Sequence, residues 1–388
     1  VEYGAVLGAA VACYAALGAV LRVTPAYVSH SLRGGAVAIG LAVGAPAITG
    51  AVLRPLGGRW ADRVGPRPMV VIGAVVMVVG IAPAVPASYP AFVASRLLVG
   101  AGEAVMMSAS VLWLLRLAGE AHRGRSLGHI GVANYAGLTI GPLLVEAVGA
   151  QRHIDRLWWL AGALPLAGAA AAVTVRSAPA PARSPGPQQS TWMMIGRTGR
   201  AGVGLLLVNI GYVAVLSFGA AVVASHGLAI GALIVPVFGG GVIASRLGLG
   251  WLPDRVGAAV VLLGAALVEA AGLVGFAVSG STPLSVAALA ALSLGQGLAV
   301  PALGVLALSG VSRAQHGAAA GAFFAWFDGG VGLGGPLVGA VARVSTPEVA
   351  LVTAGCAVAA VVPVVLARRS YLPHPSSGRG RGVAIRPW

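Results

Sequence analysis

The sequence contains no lysine: all 25 basic residues are arginine, and they face only ten acidic residues. Charged residues make up 9% of the 388 positions and hydrophobic ones 58%, a ratio that excludes a soluble globular domain of this size. Cysteine occurs twice, at Cys13 and Cys356, each inside an apolar run, so neither a disulfide framework nor a Cys/His metal site is expected. A phosphate-binding loop closing on Lys-Ser/Thr and a nucleophile elbow are also missing. The run GRTGRAGVG has the glycines of a nucleotide fingerprint, but no strand can precede it, and no polar segment is long enough to house a nucleotide site. An enzyme and an ATP-driven pump are thereby excluded, and no cofactor is expected. The formal charge of +15 would suggest nucleic acid in a soluble chain. Here it is expected to report membrane topology instead, with no nucleic-acid partner.

What the sequence does have is apolar length. Runs near the ~20 residues needed to cross a bilayer recur from end to end, and they are continuous rather than alternating, which points to helices and away from a barrel. The expected class is an all-α membrane protein with twelve transmembrane helices. The spans fall near 3–22, 35–56, 68–87, 91–115, 126–148, 155–175, 201–224, 228–249, 257–279, 283–308, 315–342 and 348–367. They divide the chain into a six-helix bundle over 1–175, a Pro/Ser-rich linker over 176–200, a second bundle over 201–367 and a basic, disordered tail over 368–388. The first run lacks a basic leader, so no cleavable signal is expected. Val1 in place of Met fits either a literal GTG start or a short truncation. Arginine-only usage with abundant Ala, Gly, Val and Pro suggests a bacterial genome rich in G and C. One set of alternating loops, with the tail, carries 19 arginines, counting Arg54 and Arg246 among them, against five on the other side. The richer side, with both termini and the linker, is expected in the cytoplasm of a bacterial cell.

The chain is also duplicated. Arg54, Gly58, Asp62, Arg63, Val64 and Gly65 recur 192 residues later as Arg246, Gly250, Asp254, Arg255, Val256 and Gly257. Gly100-Ala-Gly102-Glu-Ala-Val answers to Gly295-Gln-Gly297-Leu-Ala-Val, and Gly141-Pro142-Leu to Gly335-Pro336-Leu. Three matches in order and near one offset indicate two homologous halves.

With these residues in hand, the chain resembles the major facilitator superfamily of secondary transporters over its whole length. Gly58-x-x-x-Asp62-Arg63-x-Gly65-x-Arg67 is similar to the family's loop between helices two and three, with Asp254 and Arg255 in the weaker second copy. Arg96-x-x-x-Gly100-x-Gly102 resembles its fourth-helix pattern. Gly128, Gly137 and Gly141-Pro142 resemble its antiporter pattern in the fifth, from which Val145-Glu146 depart. The resemblance implies two bundles rocking about a shared cavity, a proton gradient as energy source and proton-coupled export of a small amphipathic organic molecule. Uptake on the same fold stands as the alternative, and a non-transporting sensor as a more distant one. It further implies a monomer in the lipid bilayer of the cytoplasmic membrane.

Acids inside apolar spans are costly, about 2.5–3.5 kcal/mol each at mid-membrane, and so point to function. Glu103, Glu269 and Asp328 are such acids. Glu103 lies two turns from Arg96 along one helix face, so burial and a guanidinium would pull its proton affinity in opposite directions. A titrating group and a static polar contact both fit. Asp328 and Asn134 each stand seven residues before a Gly-Pro, a symmetric placement suited to a site between halves. Gln296, with Asn209 and Tyr212, is a further lining candidate, and Trp113, Tyr135, Phe218, Phe323, Phe324 and Trp326 supply aromatic surface. Glu269 is expected to be structural. The resemblance makes Gly58, Asp62, Arg63, Gly65, Arg67, Asp254 and Arg255 a conformational gate, with Asp62 facing the start of the eleventh helix near Gln315–Gly317. Gly100, Gly102, Gly137, Gly141, Pro142, Gly335 and Pro336 are packing or hinge positions.

Overall fold

A computed structural model describes residues 2–81, 88–118, 123–150, 153–175, 191–309, 311 and 316–362. Every regular element among them is a helix: α1 (Glu2–Ala26, continuing as a π-turn over Tyr27–Ser31), α2 (Ala36–Val64), α3 (Pro66–Ile81), α4 (Tyr89–Ala118), α5 (Arg123–Ala147), α6 (Ile154–Thr174), α7 (Thr191–Ser225), α8 (Ile234–Leu249), α9 (Leu252–Val256), α10 (Ala258–Ala277), α11 (Thr282–Leu308), α12 (His316–Val344) and α13 (Pro347–Ala359). In hydrocarbon each backbone N–H and C=O must be satisfied inside its own segment, and a helix achieves this for one unbroken apolar stretch. Nine of the described helices are long and apolar enough to cross a membrane; α3 and α13 are shorter apolar helices.

Each expected span has its helix, and α9 is an additional five-residue piece in the second copy of the duplicated loop. One boundary changes. The stretch 176–200 was expected to be linker, yet α7 begins at Thr191, because Thr191–Arg200 contains no proline and runs directly into the apolar segment. Residues 176–190 and the tail 368–388 lie outside the described residues. The duplication is visible in the backbone. Gly65 and Gly257, at equivalent places after α2 and α9, adopt φ of 104° and 102°, where a side chain is strained.

Two apolar cores follow the two halves. The first is built on Met77, Phe92, Met106, Trp113 and Leu157. The second is built on Leu205, Phe238, Leu262, Leu273 and Phe276, and it takes in Leu21, Val43 and Tyr135 from the first half. The halves meet along α2 against α12 and α5 against α8. At the α2–α12 seam Gly40 and Gly335 face each other's backbone. A Cβ on Gly44 would stand 2.9 Å from the Val331 carbonyl oxygen, and one on Gly339 2.6 Å from that of Ala36. Such approach is what small residues permit between membrane helices. These contacts lie toward the start of α2 and the end of α12. Further along, α2 turns to its own half, Gly57 lying 3.1 Å (from its notional Cβ) from Val105 Cα, while Gly58 and Gly321 have open space around them. The first turns of α12 pack through Ala319 and Ala322 on Met194 of α7.

Candidate functional site

Midway along the seam the two halves are joined by charge. Arg54 of α2 donates through Nη2 to both carboxylate oxygens of Glu103 on α4, at 3.1 Å each, and to Asp328 Oδ1 on α12, at 3.1 Å. Its Nε also donates to Asp328 Oδ2. Tyr14 of α1 donates its hydroxyl to Glu103 Oε1. The side chains are 13%, 6% and 3% exposed for Arg54, Glu103 and Asp328, so the cluster is nearly dry. At 1.5 Å per residue, the four lie roughly 15–22 Å from the same end of the bundle, near the middle of a ~30 Å hydrocarbon layer.

The chemistry follows from counting charge. One guanidinium faces two carboxylates, so the fully ionised cluster carries one net negative charge where ions are poorly solvated. A guanidinium presents five N–H donors in a planar fork, enough to hold two acids at once. Tyr14 adds a neutral donor that steadies Glu103 without changing the balance. A single proton would make the cluster neutral. The closest wall to Asp328 is Gly50 of α2, whose Cβ would stand 2.8 Å from Oδ2. A side chain there would displace the carboxylate.

Two of the expected site residues, Glu103 and Asp328, are therefore brought together, and Arg54 is the residue that sequence reasoning misplaced in a loop. Arg96, the expected partner of Glu103, does not reach it. Seven residues are about 10.5 Å along a helix, and side chains lean toward the helix start, carrying Arg96 away from Glu103. Arg96 is 3% exposed and lines a small cavity within the first half with Ser95, Met77 and Trp158, its Nε unpartnered. Asn134 stays in the first half, donating to Met107 Sδ at 3.6 Å, and Gln296 donates to Asn209 Oδ1 at 3.4 Å in the second. Glu269 is fully buried with neither oxygen hydrogen-bonded.

In the gate loop Asp62 pairs with Arg116 at the end of α4, at 3.2 Å, within its own half. Its expected partner region, Gln315–Gly317, has no described side chains. Arg67 donates to the Val173 carbonyl of α6 at 2.5 Å, Arg63 is exposed, Asp254 is exposed and Arg255 lies over the Trp251 ring, 4.8 Å from its centroid. Close packing is found at Gly100 against Pro46 and Thr49, at Gly102 against Gly73, and at Gly137 and Gly141 against α1. Pro142 and Pro336 sit inside α5 and α12.

Comparison with known proteins agrees with this architecture. The sequence pattern of the Major Facilitator Superfamily matches residues 6–335. An uncharacterised MFS-type transporter of Salmonella typhimurium is 30% identical over 368 residues, covering 91% of this chain and 93% of that one. One of Burkholderia mallei is 30% identical over 361 residues, with 90% and 88% covered. Among solved structures, the nucleoside transporter NupG superposes with a TM-score of 0.77 at 15% identity, covering 94% of this chain and 98% of that one. The human organic anion transporter MFSD10 gives 0.74 at 17%, covering 94% and 98%. At such identities these two establish the fold alone. The length of the match and the sequence relatives go further: this chain is a multi-pass membrane protein, a transporter rather than an enzyme, and it belongs to the Major Facilitator Superfamily.

Proposed function

We propose that the protein is a proton-coupled secondary transporter that exports a small organic molecule by alternating access, with twelve helices, all but the five-residue α9, crossing the membrane. The single observation that carries this reading is the Arg54–Asp328 contact, which ties the halves together inside the bilayer. For the tightly packed end to open, α2 must part from α12, and Arg54 must leave Asp328. Removing one partner of a buried ion pair costs on the order of 3–5 kcal/mol, because it strands a charge in a poorly polarisable medium. A proton taken from the outer side onto an Asp328 oxygen as the pair parts removes that charge and so favours the opened state. Glu103 keeps Arg54 neutralised in the first half throughout, with Tyr14 holding Glu103. When the halves close again, Arg54 returns to Asp328 and displaces the proton into the cavity now open at the opposite, cytoplasmic end, against the direction of the exported molecule. Each cycle thereby moves a proton one way as the substrate site changes its exposure.

The arginine-rich loops favour a cytoplasmic position for the end away from the Gly40–Gly335 contact, so the packed end faces outward. Export rather than uptake is supported by Gly128, Gly137 and Gly141-Pro142 in α5, whose last two glycines seat α5 against α1.

The test uses purified protein in liposomes with a trapped pH-sensitive dye, screened against a library of small organic molecules. A transported compound is expected to drive protons opposite to its own movement. Asp328→Asn is expected to abolish that proton flux while labelled compound still exchanges across the membrane. Undiminished proton flux in Asp328→Asn would overturn the coupling site; flux in the same direction as the compound would replace export with uptake.

A further inference from the structure

The proton cycle uses the charges of α2, α4 and α12 and leaves another cation unaccounted for on the other inter-half contact. The duplication equates Arg54 with Arg246, and the structure places Arg246 inside α8 rather than in a loop. Arg54 has two carboxylates. Arg246 has none within ion-pair distance among the described residues. Its guanidinium carbon lies 4.7 Å from the centroid of the Tyr135 ring on α5, across the seam, and a Cβ on Gly131 would stand 2.9 Å from its Nη1. Stacking on an aromatic face partly compensates the charge but leaves the N–H edge of the fork free. Arg246 Nε has no hydrogen-bond partner.

The surroundings are unsatisfied in a consistent way. Tyr135 is 7% exposed, and its hydroxyl lies near the Gln296 amide without a hydrogen bond to it. Gln296 is fully buried, donates only to Asn209, and leaves Oε1 unpartnered. Buried polar atoms are seldom left unpaired in native proteins, and an unpaired cation inside a membrane bundle is rarer still. Here a cation and a hydroxyl donor converge on one place between the halves, with an amide behind them.

We propose that Arg246 docks the anionic group of the transported molecule, a carboxylate or comparably compact oxyanion on a small organic anion. The Tyr135 hydroxyl is its second donor, and Gln296 orients that hydroxyl by donating its remaining amide N–H to the hydroxyl oxygen. This deepens the transport reading and rests on it. It also separates the two tasks in space: the proton is handled at Asp328 on the α2–α12 contact and the substrate anion at Arg246 on the α5–α8 contact. Because the site borrows Tyr135 from one half and Arg246 from the other, an anion bridging them holds α5 to α8 while it is bound.

The experiment is a binding measurement, independent of transport. Detergent-purified full-length protein is titrated with benzoate, phthalate, phenyl phosphate and benzenesulfonate, and separately with neutral benzamide and cationic benzylamine, following thermal stability and intrinsic tryptophan fluorescence. At least one anion is expected to bind, with the neutral and cationic analogues at least tenfold weaker. Arg246→Gln is expected to weaken the anion at least tenfold. Arg246→Lys, which keeps the charge without the fork, is expected to fall between. Tyr135→Phe, which keeps the ring under the guanidinium and so guards against misfolding, is expected to weaken it severalfold. Equal binding of anion and neutral amide, an unchanged affinity in both Arg246→Gln and Tyr135→Phe, or no binding by any anion would overturn the proposal. Anion binding that depends on Arg246 but drives no proton flux in liposomes would leave the site standing and remove the coupled-transport reading instead.

Discussion

A single methyl group at Gly40 gives the sharpest test of how the two halves meet. An ideal Cβ there would press on the Gly335 carbonyl group, its carbon 2.6 Å away, and the obstacle is backbone that no rotamer change can move aside. An ordinary carbon–carbon contact is ~3.5–4.0 Å, so α2 and α12 must part by about 1 Å to accept Gly40→Ala. Overpacking of this kind costs typically ~1–3 kcal/mol. That penalty falls only on the conformation in which the helices touch. At ~1.4 kcal/mol per tenfold, the balance between packed and parted states should move by about 5- to 150-fold toward the parted one. Double electron–electron resonance would read it, with spin labels on Arg33→Cys and Val344→Cys at the packed end and Cys356→Ser to remove the exposed native thiol. Gly264→Ala on α10, where nothing lies within 4 Å of the added atom, is the control and is expected to leave the distances alone. If Gly40→Ala leaves the distance distribution as in the parent chain, then α2 and α12 are not packed through these glycines in the membrane, and the steric argument fails.

Other perturbations have outcomes fixed by the same structure. Glu269→Gln replaces an unpaired, fully buried carboxylate by a neutral amide of equal size; it is expected to raise the melting temperature in detergent, by an amount corresponding to ~1 kcal/mol or more. Trp326→Ala removes a ring that lies against Gly202 and donates to the Ile195 carbonyl at 3.4 Å, and a loss of ~3 kcal/mol is expected in the α7–α12 contact, read as a lower melting temperature. Arg116→Ala breaks a pair whose acid is 62% exposed, so its effect on stability is expected to stay within ~1 kcal/mol. Arg54→Met leaves Glu103 and Asp328 facing each other without a cation, and it is expected both to destabilise the fold and to abolish proton flux. Asp328→Asn added to Arg54→Met should restore the melting temperature in part while proton flux stays absent.

The helices were legible because hydrophobic length is a strong signal, and the short α9 was missed because five residues carry little periodicity. The glycine seam was half legible. Gly335-Pro336 stood out through the repeat, whereas Gly40 looks like any other glycine in an apolar run until α12 is laid against it. Arg54 was assigned to a loop because it opens the motif that names the loop, although it lies ten residues before the end of α2. Charge balance offered a way to find it. Three acids, Glu103, Glu269 and Asp328, lie well inside the spans, whereas Arg96 was the only cation accepted there. Arg54 and Arg246 both fall inside the spans as drawn, 35–56 and 228–249, and could have been counted there, although only Arg54 meets buried acids. Moving them out of the loops leaves the arginine asymmetry intact.

The balance also explains why duplication did not yield two equal sites. The repeated halves supply the same arginine at matching positions of the repeat on α2 and α8, but only α12 brings an acid to meet its partner; at the equivalent repeat position α5 has Asn134, whose amide turns to Met107 of its own half, with Tyr135 beneath the guanidinium. A symmetric scaffold with acids at both contacts would hold two protons and leave no free cation. With amides at both contacts it would leave two uncompensated guanidiniums at mid-membrane, at a cost of several kcal/mol. One acid and one amide divide the work: Asp328 makes one contact negative enough to take a proton, and its absence opposite makes the other positive enough to take an anion. Introducing an acid at the second contact, Asn134→Asp, therefore sets the two functions against each other. If the added carboxylate reaches Arg246, anion binding is expected to fall at least as far as in Arg246→Gln while Arg54 and Asp328 remain paired and proton uptake at Asp328 persists. Loss of proton uptake with anion binding intact would show that the division runs the other way.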